Sequence, residues 1–227
     1  MSWLQLDPES LASRAQGSPA PTLGASLRRG IVGFTLVSVA GFLPWGVFGK
    51  WFRGHGGELA MYAVCALVFI VLSGLLLHRL IMGKGSLVRF YQLFGVAFTA
   101  YSIAWIAGWM ALRGHAGSLA GLFAGTAVMG WILSTAFAAT GQTWKIIAAL
   151  FVLNSTGYFI GGMIEEALVK ICECSGGVPL AKPTQMLLAK MQWGVCYGLG
   201  LGAGLGLAFW LCQTRARALL RANTPAV

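Results

Sequence analysis

The strongest constraint in this sequence is a set of apolar runs, each long enough to cross a lipid bilayer as a helix. The hydrocarbon core of a bilayer requires about 20 predominantly apolar residues. Six segments meet this requirement, at 31–52, 59–81, 87–112, 118–141, 144–167 and 185–212. Barrel strands do not fit, because the runs are too long and lack an alternation of apolar and polar residues.

The overall composition supports a membrane-embedded chain. Hydrophobic residues make up 57% of the sequence and charged residues only 10%, whereas about a quarter of the residues in soluble domains are charged. Such a chain cannot cover its own core with polar surface, so membrane lipids are its first expected partners. The sequence therefore predicts an all-α, polytopic integral membrane protein, a helix bundle with six transmembrane helices.

The distribution of lysine and arginine predicts the orientation. With the N-terminus inside, ten of these residues fall on the cytoplasmic side and six on the other side. The positive-inside rule then places both termini in the cytoplasm, and we expect a bacterial inner (plasma) membrane. The net charge of +10 is spread between the apolar runs rather than clustered on one face. This pattern does not favour nucleic acid as a partner.

Three regions follow from this topology. Residues 1–27 are predicted to be a mobile or interfacial arm, residues 28–215 the transmembrane domain, and residues 216–227 a cytoplasmic tail. No apolar core precedes Ile31, so we expect the first span to be retained rather than cleaved as part of a signal peptide.

Two spans carry regularly spaced glycines. The positions are Gly194, Gly198, Gly202 and Gly206 in the sixth span, and Gly117, Gly121 and Gly125 in the fourth. Helices in lipid associate mainly through close packing, which small residues permit. The pattern predicts tight helix contacts. It leaves open whether they lie within the chain, between subunits, or at a surface that slides.

The fifth span carries the most polar residues. Asn154, Tyr158 and Glu165 lie within about 40° of one another on a helix, and Glu166 follows directly. One interpretation is that Asn154 ties neighbouring helices together, with an interhelical hydrogen bond of ~0.6–2 kcal/mol. The other is that these four residues line a ligand or transport path. No charged residue lies at the middle of a span, which argues against a carboxylate-driven pump.

Other site chemistry is sparse. Cys172 and Cys174 fall in a predicted extracytoplasmic loop and are candidates for a disulfide or a reactive thiol pair. No metal site is predicted, because the histidines do not occur at ligand spacing, and no nucleotide-binding motif occurs in a suitable context. The sequence does not indicate a cofactor.

Three functions are compatible with these features. The leading hypothesis is a small transporter or channel component with a polar path along the fifth span. The alternative is a structural or assembly subunit that docks to itself or to other membrane subunits through glycine-rich faces. The third is an intramembrane enzyme acting on lipid, with Glu165, Glu166 and either His55 or His115 as acid–base groups. A cavity reaching the middle of the bundle would favour the transporter, and a glycine-lined outer face the subunit. A histidine bonded to a glutamate would favour the enzyme, the less expected class.

Overall fold

The computed structural model describes residues 4–174 and 182–222 of the chain, except for the side chains of residues 171–174 and 182. The described part is helical throughout apart from its connections. Its α-helices are α1 (Pro8–Arg14), α2 (Leu23–Gly54), α3 (Gly57–Leu77), α4 (Ser86–Leu112), α5 (Gly114–Ala136), α6 (Thr143–Cys174), α7 (Lys182–Cys212) and α8 (Thr214–Ala222). The side chains of Cys172 and Cys174 lie outside the described part, so the disulfide or reactive thiol pair stays a prediction.

Six of these helices, α2 to α7, are long and apolar enough to cross a membrane. The predicted all-α bundle of six transmembrane helices is therefore confirmed. Some helices extend beyond the apolar runs. For example, α2 begins at Leu23 because the Thr22 hydroxyl caps it, accepting a hydrogen bond of 3.2 Å from the Ala25 amide. By contrast, α5 ends at Ala136, before the predicted end of its span, because Ala138 adopts a positive φ of 51°.

The first and last helices of the described part meet at one end of the bundle, which we call the terminal end. Here α1 packs against α8, and Leu4, Leu6 and Leu11 are each at most 2% exposed. The sequence suggested a mobile or interfacial arm at residues 1–27, whereas residues 4–15 form a packed part of the fold. The opposite end, where α2 meets α3 and α4 meets α5, is the far end. The assignment of the terminal end to the cytoplasm stays a prediction.

The glycine rows lie at contacts between helices of the same chain. A Cβ added to Gly202 would stand 2.5 Å from the carbonyl oxygen of Gly30, where α7 crosses α2. A Cβ on Gly121 would stand 2.6 Å from the carbonyl oxygen of Trp105, where α5 crosses α4. Contacts this close place backbone against backbone, which only glycine permits.

The half of the bundle nearest the termini, the terminal half, is filled by phenylalanine rings. Phe90 stacks on Phe94 with ring centres 5.0 Å apart, and Phe94 stacks on Phe98 at 5.2 Å. Phe209 of α7 adds a further ring, 5.6 Å from Phe90. All four are at most 2% exposed. We call this group the phenylalanine stack.

A buried glutamine ties the connections of the terminal half together. The Gln213 side chain accepts a 2.8 Å hydrogen bond from the Met82 amide. It donates bonds of 2.8 Å to the carbonyl oxygens of Leu80 and Phe209. One side chain therefore fastens the link between α3 and α4 to the junction of α7 and α8.

Candidate functional site

A cavity of about 360 Å³ occupies the other half of the bundle, which we call the far half. Eleven of its seventeen lining residues are aromatic. Helices α2, α3, α4, α6 and α7 contribute to it, and α3 and α4 supply most of the wall. The lining is Gly41, Phe42, Trp45, Glu58, Tyr62, Cys65, Ala66, Phe69, Phe98, Tyr101, Ser102, Trp105, Ile106, Trp109, Tyr158, Trp193 and Tyr197.

The cavity runs from the far end to the middle of the bundle. Its floor is formed by the buried side chains of Phe98, Tyr101 and Tyr197, and its mouth includes the exposed Glu58. Phe98 also belongs to the phenylalanine stack, which fills the bundle below it. The cavity is therefore open towards one end and closed towards the other.

A small hydrogen-bond network lies at the floor. The Asn154 amide nitrogen donates to the Tyr101 hydroxyl at 2.9 Å, and the hydroxyls of Tyr101 and Tyr197 are 3.0 Å apart and bonded to each other. Asn154 is fully buried and does not line the cavity itself. The oxygen of the Asn154 side-chain amide is buried without a partner among the described residues, so the network is only partly satisfied.

Tyr158 fixes the wall between α5, α6 and α7. Its hydroxyl is bonded to that of Ser118 at 3.1 Å, and its carbonyl oxygen accepts a 2.8 Å bond from the Trp193 indole. The indole passes over Gly161, where any side chain would collide with the ring. The glycine on α6 thus makes room for one of the aromatic walls of the cavity.

The mouth carries charges of both signs. Glu58 pairs with Arg113 at 3.5 Å, and both side chains are about half exposed. Arg113 also lies over the Trp109 ring, and Lys190 lies over the Trp45 ring at 4.5 Å. These cations stand at the edge, since no lysine or arginine among the described residues lines the cavity.

The four residues of the predicted path are not equally placed. Tyr158 lines the cavity and Asn154 supports its floor from behind. Glu165 is half-buried and interacts electrostatically with Lys190, and Glu166 is exposed; neither lines the cavity. The path along α6 stays a hypothesis.

Sequence reasoning did not single out the aromatic wall. Tyr101, Trp105 and Trp109 recur every four residues and so share one face of α4. Trp193 and Tyr197 have the same spacing on α7. This four-residue spacing of tyrosine and tryptophan was the sequence pattern that could have indicated the aromatic wall. It resembles ordinary core packing until the neighbouring helices are known.

The histidines of the far end, His55 and His115, have local partners. The His55 ring stacks on Trp51 with centres 4.3 Å apart and bonds to the Trp51 carbonyl oxygen. Among the described residues, neither His55 nor His115 is hydrogen-bonded to a glutamate. No group of three or more metal-binding side chains is found in this part of the chain.

Comparison with known proteins gives no relative, because no protein-family model, curated protein or solved structure matches the chain. The functional argument therefore rests on the geometry of the cavity and its surroundings.

Proposed function

We propose that this membrane protein binds a small, largely apolar, uncharged molecule in the cavity and moves it across the bilayer. The arrangement corresponds to the state of a transporter that is open to the far end. The observation that carries the proposal is a ligand-sized cavity that reaches the middle of the bundle and stops at the phenylalanine stack.

The lining supports the chemical class of the ligand. Ligand sites are commonly 300–1,000 Å³ in volume and mostly apolar, with few polar groups, and the cavity of about 360 Å³ lies within that range. Glu58 is the one acidic side chain of the lining, and its charge is matched by Arg113. The lining therefore offers no unpaired charge that could neutralise a charged ligand.

The packing around α7 supports movement. Alternating access requires groups of helices to shift against one another around a central site. Towards the terminal end of the α2–α7 contact the backbones meet through Gly30, Gly202 and Gly206 without intervening side chains. Nearer the cavity, aromatic side chains and the bond from Ser38 to the Gly194 carbonyl oxygen join the two helices. These glycine faces are occupied within the chain, which weakens the alternative of a subunit that docks through them.

Binding can be tested with fluorene, a planar hydrocarbon, by calorimetry on the detergent-solubilised protein. Ala66→Phe would fill the cavity, whereas Ala63→Phe adds the same ring to an exposed position on the same helix. We expect Ala66→Phe to weaken binding by at least about tenfold, equivalent to ~1.4 kcal/mol, and Ala63→Phe to leave it unchanged. Equal affinities of the two variants would show that the cavity is not the site.

Transport can be separated from static binding by cysteine labelling. Ala97 is fully buried beside the phenylalanine stack, so a cysteine at this position reports opening of the terminal half. In an otherwise cysteine-free protein, we expect fluorene to increase the labelling of Ala97→Cys by a charged maleimide. If labelling stays unchanged while fluorene binds, the protein is a receptor or binding subunit rather than a transporter.

A further inference from the structure

One hydrogen-bond donor in the cavity wall has no partner, and its hydrogen cannot be reassigned. The indole nitrogen of Trp109 is buried without a partner among the described residues, and Trp109 lines the cavity. An indole N–H only donates, and its direction is fixed by the ring. Neither rotation of a hydroxyl nor exchange of amide atoms can therefore satisfy it. Because buried tryptophans usually bond this group, we expect its partner to come from outside the chain.

The Trp109 ring is held from two sides. It lies parallel to the Trp105 ring, with an interplanar angle of 3° and ring centres 6.4 Å apart. The Arg113 guanidinium lies over it at 5.6 Å and also pairs with the Glu58 carboxylate at 3.5 Å. Glu58 is the one acidic residue of the lining. The carboxylate that could accept from the indole is therefore already engaged by an arginine.

The polar groups at the floor of the cavity can satisfy one another. Tyr197 can donate to Tyr101 across the 3.0 Å contact of their hydroxyls. The Asn154 side-chain amide lies 2.9 Å from the Tyr101 hydroxyl, and a half turn of this amide lets its oxygen accept from Tyr101. Neither phenolic hydrogen then requires an acceptor from a ligand. The floor therefore suits an apolar group.

The unpaired indole and the floor lie at different depths of the cavity. Trp109 follows Tyr101 by eight residues on α4, which corresponds to a rise of about 12 Å towards the far end. Between these levels stands the ring of Trp105, which contacts Tyr62 edge to face with centres 5.7 Å apart; both rings line the cavity. An apolar body fits along these rings, with a polar end at the level of Trp109.

We propose that the ligand is an uncharged, apolar molecule with a hydrogen-bond acceptor oxygen at one end, bound with this oxygen at the Trp109 indole and its apolar end at the floor. This inference rests on the proposed binding function and specifies the polar group and the direction of its ligand. A hydrocarbon fits the same rings but leaves the indole unpaired, as does a ligand bound in the reverse direction.

Two naphthalenes test the acceptor, because 2-acetylnaphthalene carries a carbonyl oxygen where 2-isopropenylnaphthalene carries a methylene group. Detergent micelles take up the two probes to different extents, so the preference for the ketone is compared between the wild-type protein and Trp109→Phe. In calorimetry we expect this preference to be about fivefold larger in the wild-type protein, equivalent to ~1 kcal/mol. Equal preferences would overturn the acceptor inference and leave the binding function intact. Failure of the wild-type protein to bind either probe would overturn the binding function as well.

Trp193→Phe is the matched control, because it makes the same ring change in the same cavity. The Trp193 indole is already bonded to the Tyr158 carbonyl oxygen at 2.8 Å and is not available to a ligand. Whatever its effect on the two affinities, this variant should keep the wild-type preference for the ketone. Loss of the preference here as well would show that it follows ring size rather than the Trp109 N–H, which would overturn the inference.

Removal of both phenols at the floor tests the direction of the ligand. The double variant Tyr101→Phe and Tyr197→Phe should keep the preference for the ketone, because the oxygen is bound at Trp109, about 12 Å away. Loss of the preference in this double variant, together with its retention in Trp109→Phe, would place the oxygen at the floor and overturn the assigned direction.

An infrared measurement on the wild-type protein gives a result that does not depend on the folding of any variant. The carbonyl stretch of bound 2-acetylnaphthalene should lie at lower frequency than in an apolar solvent, because the oxygen accepts a hydrogen bond. An unshifted band would show that no donor reaches the oxygen, and the inference would then be wrong.

Discussion

The two halves of the bundle use aromatic residues in opposite ways. In the terminal half, phenylalanines stack face to face at 5.0–5.6 Å and leave no polar atom in the stack. In the far half, tyrosines and tryptophans stand around a cavity of about 360 Å³. Rings without a polar group can fill space completely, whereas rings with a hydroxyl or an N–H must also meet a partner. This difference explains why one half is sealed and the other can accept a ligand.

The polar groups do not divide between the two halves in this way. In the terminal half the Gln213 side chain makes three bonds of 2.8 Å to backbone groups. Buried side-chain atoms without a partner among the described residues nevertheless occur in both halves: Ser73 Oγ and Arg89 Nη1 in the terminal half, and the Trp109 indole nitrogen and the Asn154 side-chain oxygen in the far half. Buried polar groups without partners are uncommon and call for a specific explanation. Of these atoms, only the Trp109 nitrogen belongs to a residue that lines the cavity, where a bound molecule has room to accept its hydrogen bond.

The largest expected effect comes from placing the same ring in each half. Ala97→Phe adds a phenyl group where the alanine is fully buried, and overpacking costs ~1–3 kcal/mol and sometimes more. Ala66→Phe places that ring in the cavity. We expect thermal unfolding in detergent to show a clear loss for Ala97→Phe and little change for Ala66→Phe. Equal losses would mean that the far half is as tightly filled as the terminal half.

The glutamine of the terminal half should give the next largest effect. Gln213→Leu leaves the Met82 amide and two carbonyl groups without their side-chain partner. An unpaired buried donor such as the Met82 amide costs about 1–3 kcal/mol, whereas each carbonyl oxygen keeps a second lone pair for another donor. We therefore expect a loss of roughly 2–3 kcal/mol. Gln92→Leu changes an exposed glutamine and serves as the control in the same denaturation measurement. Similar stability of the two variants would show that the Gln213 network does not hold the half together.

Asn154 should have a smaller effect on stability. Asn154→Leu removes one bond to Tyr101 at 2.9 Å, and interhelical bonds of this kind contribute ~0.6–2 kcal/mol. Thr156→Leu, on the exposed face of the same helix, is the matched control. We expect a loss of about 1 kcal/mol relative to that control. A loss above about 3 kcal/mol would show that the Asn154 network is as essential to the fold as the one at Gln213.

The smallest expected effect concerns Asp7, the N-cap residue of α1. The Asp7 carboxylate accepts a 2.9 Å bond from the Ser10 amide, which lowers the pKa of Asp7 below its usual 3.8. A lowered pKa stabilises the folded cap above pH 3.8, and the contribution is lost as the pH falls through the folded value. Asp7→Ala should cost about 1 kcal/mol near pH 6, seen as faster hydrogen exchange in α1. In strong acid the wild-type protein and Asp7→Ala should exchange at the same rate. Glu9→Ala is the control, and its exchange in α1 should stay close to that of the wild-type protein at either pH.

The sequence predicted the six spans because their signal is local. Apolar runs such as 87–112 lie within a residue of the observed helix, Ser86–Leu112. Helix ends that depend on a cap or an unusual backbone angle were less accurate, as at Thr22 and Ala138. The packing of α1 was not predicted, because its apolar face becomes meaningful only when α8 is beside it.

The cavity was harder to predict, because it depends on which helix faces meet. Asn154 and Tyr158 stood out as polar residues in an apolar span, and both contact the cavity or its floor. Tyr101 and Tyr197, which form the floor, are 96 residues apart in sequence. No local sequence pattern indicates that two residues so far apart will be in contact. The hydrogen bond between them exists only in the assembled bundle.

The central claim is that the far half is open and the terminal half is sealed, and it can be measured within one helix. Ser102 lines the cavity and Ala97 is fully buried, five positions away on α4. In a cysteine-free protein without added ligand, the rates at which a charged maleimide labels Ser102→Cys and Ala97→Cys should be compared. We expect Ser102→Cys to react at least about a hundredfold faster, as for a site whose opening costs ~3 kcal/mol. Equal rates at the two positions would contradict the division of the bundle into an open half and a sealed half.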